Sequence, residues 1–314
     1  MTSNGIIWAG ATLLASVLFA QHSPEPPSWG LKAIEPPKYT APNKPLTRLA
    51  DVKAIHKTGA NWSQVIVDDD KLRAEFISVA PGAKVSPRFH PDTRMWIAIL
   101  EGQMRVSIEG QETFLAAKGT MVQVPRQTVF SMENTGSQPA VRYEVNVAGA
   151  TTFYPGGVKP PGVPGFEFIP VLLRRTPGPW GRGNLPHLSL SEVGEHYRAS
   201  GDKFKGRNFE DRFVDEDRAV VNVVYGTQRN QGPDDPKSVG NYHPETSEIM
   251  MVLTGQFSAK IEGQDIFAAN EGDVIYVPKM AFHNVRYSGP GVSCRMVTSA
   301  FVNNSHVEPV EKAK

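Results

Sequence analysis

One stretch of the chain occurs twice. Residues 90–130 read HPDTRMWIAILEGQMRVSIEGQETFLAAKGTMVQVPRQTVF, and residues 243–283 read HPETSEIMMVLTGQFSAKIEGQDIFAANEGDVIYVPKMAFH. The copies align without a gap at an offset of 153 residues, and the matched positions include identical turn residues such as Gly119 and Gly272. Because glycines and prolines determine turn geometry, their repetition indicates a shared backbone and not only a shared apolar composition. The chain therefore contains one structural unit twice.

Each copy has the pattern of short β-strands. Residues 104–109 alternate apolar and polar side chains, and residues 257–262 do the same in the second copy. A period of two indicates strands with one buried face. Glu-Gly pairs that end at Gly110 and Gly263 stand where tight hairpin turns belong. Short strands with regular glycine and proline punctuation predict an all-β fold, either a sandwich or a jelly roll.

The segments around the two copies are rich in proline and glycine. Residues 153–215 form a predicted Pro/Gly-rich linker between the copies. Within this linker, Ser189 and Glu192 form a capping-box pattern that predicts a short helix running to about Ser200. The predicted segments are a Pro-rich N-terminal arm at 21–50, a first domain at 51–152, a second domain at 216–305 and a tail at 306–314.

The N-terminus is apolar. Residues 5–20 contain no charged side chain, but this stretch is shorter than the roughly 20 residues that a membrane-spanning helix needs. Proline and polar residues follow at once, which favours a signal peptide over residues 1–20, cut near Ala20. The alternative is a retained N-terminal anchor. We therefore expect a secreted or periplasmic protein with no stable membrane association after processing.

Composition excludes several classes of protein. The 314 residues are 40% hydrophobic and 21% charged, which is enough apolar content for a core and argues against disorder. The formal net charge is only +1, so the chain lacks the basic surplus of a nucleic-acid binder. A single cysteine, Cys294, excludes a disulfide framework and a cysteine-based zinc site.

The second copy carries a spaced set of polar residues. It reads Asn241-Tyr242-His243, then Glu248 before Gly255, and then Gly-x5-Pro-x4-His ending at His283. This resembles the two motifs of the cupin superfamily, one with His-x-His and a Glu before a Gly, the other with Gly-x5-Pro and then a His. With the duplication, the chain resembles a bicupin. The resemblance implies two tandem cupin-type jelly-roll β-barrels with a divalent metal held inside.

The resemblance assigns the metal to the second barrel. His243, Glu248 and His283 match ligand positions, whereas Asn241 stands where the first His of the pair belongs. Either the Asn241 carbonyl oxygen is a weak ligand or water takes that position. The first copy is degenerate and is expected to be metal-free, with apolar side chains filling the site. Its counterparts to these four residues are Arg88, His90, Met95 and Phe130.

Residue chemistry alone supports a metal site. Two imidazoles and one carboxylate with open positions suit Fe(II) or Mn(II), and Zn, Ni or Cu are also tolerated. The first copy has lost the Glu and the second His, so the repeated fold does not need these residues for packing. Glu248 is therefore a candidate catalytic residue. Strand alternation places Met250 on the same face, where it is expected to line the cavity and is the second candidate catalytic residue.

Other polar residues have weaker patterns. Arg142 and Arg295 recur at matched positions, and we expect structural ion pairs more than a substrate clamp. Isolated histidines such as His306 lack ligand spacing and are expected at the surface or hydrogen-bonded in the core. The loop at 230–240 makes the second copy eight residues longer than the first before its His, and it could form a rim or lid.

The resemblance implies a metal-dependent enzyme acting on a small molecule. The favoured function is an oxidoreductase of the dioxygenase kind, acting on a small organic acid or a phenolic compound. The alternatives are a metal-dependent decarboxylase or lyase, a sugar isomerase, and a non-catalytic binding or storage protein. A homo-oligomer is a further expectation.

Overall fold

The computed structural model describes residues 28–180, 185–199, 209–216, 218–300 and 306–309. Everything below lies in the unit formed by Leu31–Pro309. The first half of the chain contains β1 (Leu46–Thr47), α1 (Leu49–Ile55), β2 (Trp62–Asp68), β3 (Leu72–Val79), β4 (Lys84–Arg88), β5 (Met95–Glu101), β6 (Gln103–Ile108), β7 (Phe114–Ala117), β8 (Thr120–Val124), β9 (Phe130–Asn134) and β10 (Ala140–Val147). The second half contains β11 (His187–Ser189), α2 (Leu190–Ala199), β12 (Phe209–Glu216), β13 (Ala219–Thr227), β14 (Glu248–Thr254), β15 (Gln256–Ile261), β16 (Phe267–Asn270), β17 (Val274–Val277), β18 (His283–Tyr287) and β19 (Val292–Ser299).

Each copy of the repeat forms a barrel from a large and a small antiparallel sheet. The first barrel combines the sheet β11-β8-β5-β10-β3-β2 with the sheet β4-β9-β6-β7. The second combines β1-β17-β14-β19-β13-β12 with β16-β15-β18. The predicted all-β fold of two tandem jelly-roll barrels is confirmed.

The two barrels share the same strand register. Met95 of β5 lies opposite Val124 of β8, and Glu248 of β14 lies opposite Val277 of β17. Both pairs are separated by the 153-residue offset of the sequence repeat. Since a slip of one residue would turn every side chain to the other face of the sheet, equal register means that matched residues face equivalent surroundings.

The central strands are buried on both faces, which explains their long apolar runs. In β5, Ile97 faces the core inside the first barrel, whereas Trp96 belongs to a core shared by the large sheets of both barrels. In β14, Met250 faces the inside of the second barrel and Met251 joins the shared core. Alternation within β14 therefore sends every second residue, starting at Glu248, into the second barrel.

The barrels exchange their edge strands. β1, which precedes the first barrel in sequence, pairs with β17 of the second barrel, with Thr47 opposite Val274. β11, which precedes the second barrel and lies in the predicted linker, pairs with β8 of the first, with Leu188 opposite Met121. Each added strand covers an edge that would otherwise present unpaired backbone groups.

A helix follows each exchanged strand and packs on a glycine turn of the barrel that the strand joins. A Cβ at Gly119 would lie 2.7 Å from Cδ1 of Leu190 in α2, and one at Gly272 would lie 3.0 Å from Cδ2 of Leu49 in α1. Both glycines have positive φ, +84° and +87°. The matched glycines of the repeat therefore provide both the turn conformation and the room for a leucine.

The exchanged strand and helix are themselves repeated. Residues 45–52 read PLTRLADV and residues 186–193 read PHLSLSEV, so Leu49 matches Leu190. Helix α2 begins with the predicted capping box, in which Ser189 N donates to Glu192 Oε2 (2.6 Å) and Glu192 N donates to Ser189 Oγ (3.2 Å). Helix α1 was not predicted, and it spans the predicted boundary between the Pro-rich arm at 21–50 and the first domain at 51–152.

The predicted signal peptide at 1–20 lies outside the described residues. Among the residues that are described, no helix has the length and hydropathy to cross a bilayer.

Candidate metal centre

Three separate segments of the second barrel bring the predicted ligands together. Glu248 is the first residue of β14, and His283 is the first residue of β18. His243 lies in the loop before β14, where its carbonyl oxygen accepts a hydrogen bond from Met280 N (2.8 Å). Asn241 and His283 pair through both backbone groups, at 3.1 and 2.8 Å. The small sheet and the large sheet therefore each hold part of the site.

The three polar side chains converge inside the barrel. Glu248 Oε2 lies 3.1 Å from His283 Nε2, and Glu248 Oε1 lies 3.6 Å from His243 Nε2. One ligand atom from each residue falls within a group spanning 4.8 Å, and all three residues are buried. Such convergence of buried donors is unusual without a chemical reason, because burying polar groups costs free energy.

Hydrogen bonds orient the two key groups. His283 Nδ1 lies 3.2 Å from the carbonyl oxygen of Ala281, so that ring nitrogen can donate its proton outward and leave Nε2 facing Glu248. Burial raises the pKa of Glu248, while hydrogen bonds from His243 and His283 lower it, and the net direction is downward. The carboxyl group is therefore held as an anionic oxygen donor.

Asn241 completes the wall beside His243. Its amide nitrogen lies 3.4 Å from His243 Nε2, and the residue lines the same cavity. The structure thus places all four predicted metal ligands in one site. Whether Asn241 itself binds a metal stays a prediction.

The donor set fits a divalent transition metal. Imidazole nitrogen and carboxylate oxygen are ligands for Fe, Mn, Zn, Ni and Cu, and a set of two imidazoles and one carboxylate leaves positions open for a substrate. Among the described residues, one group of three or more such side chains has its ligand atoms within 4.8 Å of one another, and it consists of His243, Glu248 and His283.

A cavity of about 600 Å³ reaches two of the three converging residues. Glu248, His283 and Met250 line it, as predicted for Met250 from strand alternation. A volume of this size is within the range of small-molecule sites. The arrangement can therefore present a bound metal to a small organic molecule.

In the first barrel, the matching positions contain an arginine in an ion pair and apolar side chains packed in the core. Arg88 donates to Glu144 Oε1 at 2.8 Å, and its guanidinium lies 5.1 Å from the Phe130 ring. Phe130 and Met95 are buried in the core, as expected. His90 is buried and its Nδ1 lies 2.9 Å from a backbone carbonyl oxygen, that of Thr151. In the described part of this barrel no cluster of three metal-binding side chains forms.

The expectation that both repeated arginines form ion pairs is correct for one of them. Arg142 Nε donates to Glu144 Oε2 at 3.0 Å, deep in the first barrel. Arg295 has no carboxylate at ion-pair distance among the described residues, and its side chain lines the metal-site cavity. The prediction of a structural ion pair is therefore wrong for Arg295, because the second barrel lacks a counterpart to Glu144.

His306 is a functional candidate that sequence reasoning missed. Its ring packs perpendicular to the His243 ring with centroids 4.7 Å apart, and it lines the cavity. Pairing between Tyr242 and Val307 holds this segment in place, as Phe89–Phe153 pairing does in the first barrel. Extending the sequence repeat to the Tyr242–Val307 pair would have indicated that the segment containing His306 belongs to the second barrel. The spacing of His306 from the other histidines gave no such indication.

Two other predicted features lie away from the cavity. The loop at 230–240 packs against β15 and β18, where Lys260 Nζ donates to Ser238 O at 2.9 Å and Tyr287 N donates to Gln231 Oε1 at 2.8 Å. The residues that line the cavity include none from this loop. Glu245, whose place two residues after His243 in the sequence makes it a possible general base, is exposed.

Comparison with known proteins agrees with the fold. The family model of the cupin domain matches residues 75–146, which lie in the first barrel. A search of curated proteins gave no match.

Several solved structures resemble most of the chain. A salicylate 1,2-dioxygenase from Pseudoaminobacter salicylatoxidans in complex with gentisate superposes with a TM-score of 0.60 at 10% identity, covering 81% of this chain and 81% of that one. An oxalate decarboxylase variant from B. subtilis gives a TM-score of 0.50 at 16% identity, covering 86% and 80%. A cupin 2 conserved barrel domain protein from Leptotrichia buccalis gives 0.50 at 12% identity, covering 76% and 88%. At these identities the likeness establishes the fold.

Proposed function

We propose that this chain, whose first barrel matches the cupin domain family and whose fold is that of a bicupin, is a metal-dependent oxidoreductase of the dioxygenase kind. The proposed substrate is a small organic acid or a phenolic compound, and the reaction takes place in the second barrel. The observation that carries this proposal is the buried convergence of His243, Glu248 and His283 beside a cavity of about 600 Å³. The similarity to a salicylate 1,2-dioxygenase supports it at the level of fold.

Each residue has a defined part in the proposed site. His243, Glu248 and His283 would hold one divalent metal, with Fe(II) or Mn(II) favoured by the mixed nitrogen and oxygen donors. When bound, such a metal supplies a Lewis acid and a redox centre. The Ala281 carbonyl oxygen orients His283, and Met250 forms part of the apolar wall that keeps water from the substrate.

Metal analysis combined with oxygen uptake tests this proposal. The protein is expressed without added metal, its metal content is measured, and hydroxylated benzoates and small aliphatic acids are screened with an oxygen electrode. We expect about one Fe or Mn per chain and substrate-dependent oxygen consumption, which Glu248→Ala abolishes. Stoichiometric metal with product formation but no oxygen uptake would instead indicate a decarboxylase, lyase or isomerase. Absence of both metal and turnover would leave a binding or storage protein.

Export and oligomerisation are separate proposals. We propose that residues 1–20 direct the chain out of the cytoplasm and are removed near Ala20. N-terminal sequencing of the exported protein tests this: a mature chain that begins just after Ala20 supports it, and retention of residues 1–20 contradicts it. Sedimentation of the purified chain measures whether it forms a homo-oligomer.

A further inference from the structure

Arg295 is a cation inside the second barrel, and no carboxylate of the described residues lies at ion-pair distance from it. Its Nη1 donates to the Val285 carbonyl oxygen at 3.2 Å, and its guanidinium lies 4.7 Å from the Phe257 ring centroid. Its Nε is buried and has no hydrogen-bond partner in the part of the chain that the structure describes. A guanidinium in this setting is costly, because a buried charge is normally compensated by an anion.

The first barrel shows how the same cation is compensated when it has only a structural role. Arg142 of β10 lies opposite Ile99, and Arg295 of β19 lies opposite Val252, at the same register. Two residues after Arg142, Glu144 accepts from both Arg142 and Arg88. In the first barrel the arginine at this point therefore has a carboxylate partner, which it shares with Arg88.

The second barrel has lost the anion but kept the cation. The residue that matches Glu144 is Val297, which lines the cavity together with Arg295. The other acids on this cavity are engaged elsewhere. Glu248 faces the two histidines, and the exposed Glu210 accepts from Asn222 at 2.9 Å. Arg212, also on the cavity wall, is half exposed and pairs with Asp215 at 3.2 Å.

We propose that Arg295 binds the carboxylate of the substrate. The absence of a Glu144 equivalent leaves a guanidinium on the cavity that Glu248 and His283 also line. A carboxylate is the anion that pairs with a guanidinium through two parallel hydrogen bonds. The inference rests on the proposed function and narrows its substrate class to small carboxylic acids. A neutral phenol would leave this half-buried cation uncompensated.

Titration calorimetry with charged and neutral ligand pairs tests the role of Arg295. Zn(II)-loaded protein is used, since zinc has no redox chemistry. The probes are 2-hydroxybenzoate, oxalate and lactate, each paired with its neutral amide: 2-hydroxybenzamide, oxamide and lactamide. We expect at least one carboxylate to bind the wild-type chain, and Arg295→Met to weaken that binding roughly 10- to 100-fold. Binding of the amide should change less than about twofold, because the amide lacks the charge that pairs with the guanidinium.

Two further variants separate anion binding from a general effect on folding. Val297→Glu restores the arrangement of the first barrel and should weaken carboxylate binding to a similar extent while the melting temperature is kept. Arg105→Met removes an exposed arginine that pairs with Glu133 in the first barrel and should change nothing. If Arg295→Met does not fold, Val297→Glu decides the question.

The outcomes distinguish this inference from the proposed function. Wild-type-like carboxylate binding in both Arg295→Met and Val297→Glu, or no binding of any carboxylate to the wild-type chain, overturns the role of Arg295 even if the metal is present. If the wild-type chain retains no metal, the proposed function fails, but the same titration on metal-free protein still decides whether Arg295 binds carboxylates.

Discussion

Glu248 and Met95 occupy the same place in the two barrels. Each begins the central strand of its large sheet, and each lies opposite a matched valine, Val277 for Glu248 and Val124 for Met95. Both side chains are buried, one among histidines and the other in an apolar core. One backbone therefore accepts either a carboxylate or a thioether at this position, so packing alone does not require the carboxylate.

Replacement of Glu248 by the residue of the first barrel should separate stability from metal binding. We expect Glu248→Met to leave the metal-free protein as stable as the wild type or more stable by about 1–2 kcal/mol, because a buried carboxylate is replaced by an apolar side chain. Urea unfolding in the presence of a chelator measures this. Added metal should stabilise the wild type and not the variant. A variant that is several kcal/mol less stable without metal would show that Glu248 has a structural role.

The ion network of the first barrel predicts a specific acid sensitivity. Burial raises the pKa of Glu144, but Arg88 and Arg142 lower it more, to about 2. A depressed pKa means that the Glu144 carboxylate stabilises the fold fully above its unfolded value near 4.5, and that this contribution is lost as pH falls towards 2. Glu144→Gln should lower the free energy of unfolding by about 3 kcal/mol at pH 7, and this difference should shrink as pH falls below 4.5. Unfolding of both proteins across pH 3–7 measures the difference. A cost that does not change with pH would contradict the network.

The packing of α2 on Gly119 predicts that alanine substitution at two glycines with similar φ lowers the free energy of unfolding by different amounts. Gly119 and Gly110 both have positive φ, but only Gly119 faces a leucine, Leu190, whereas nothing lies within 4 Å of a Cβ at Gly110. Gly110→Ala should therefore lower the free energy of unfolding by about 1 kcal/mol, from backbone strain alone. Gly119→Ala should lower it by about 1–3 kcal/mol more, because the added methyl group overpacks against the leucine. In a Leu190→Ala background the additional cost should largely disappear. Equal costs at the two glycines would argue against packing of α2 on this turn.

His306 is expected to shield the metal site without holding the metal. Its ring packs on His243, but it is outside the group of three converging ligands. His306→Ala should therefore keep the wild-type metal stoichiometry and lose metal to a chelator roughly 10-fold faster, because the site becomes more open. Rates of metal removal measured with a colorimetric chelator test this. Metal content as low as in a ligand variant would instead make His306 a ligand.

Sequence patterns were sufficient for the features that are local or repeated. Period-two alternation and matched glycines predicted the strands and an all-β sandwich or jelly roll, and the resemblance to cupins implied two jelly-roll barrels. The Ser189–Glu192 pattern predicted the start of α2. The spacing of polar residues in the second copy, which matches the cupin motifs, predicted His243, Glu248 and His283 as ligands. The structure places these three residues within one site. These features follow from hydrogen-bond and side-chain periodicity within a few residues.

Features that depend on distant partners were not predicted. Helix α1 packs Leu49 on Gly272, more than 200 residues away, and its match with α2 is too short to notice without that contact. The contact of His306 with His243 depends on pairing of the C-terminal segment with Tyr242. The different environments of Arg142 and Arg295 depend on a residue two positions further along the strand, which recurrence of the arginine does not reveal.

Metal content of three histidine variants tests the central claim most directly. His243→Ala and His283→Ala each remove one converging donor, whereas His90→Ala removes the matched histidine of the first barrel, which is buried against a backbone carbonyl oxygen. Elemental analysis after identical purification should find about one metal per chain in the wild type and in His90→Ala, and a loss of most of it in the other two. Equal metal loss in all three variants, or full retention in His243→Ala and His283→Ala, would contradict a single metal site in the second barrel.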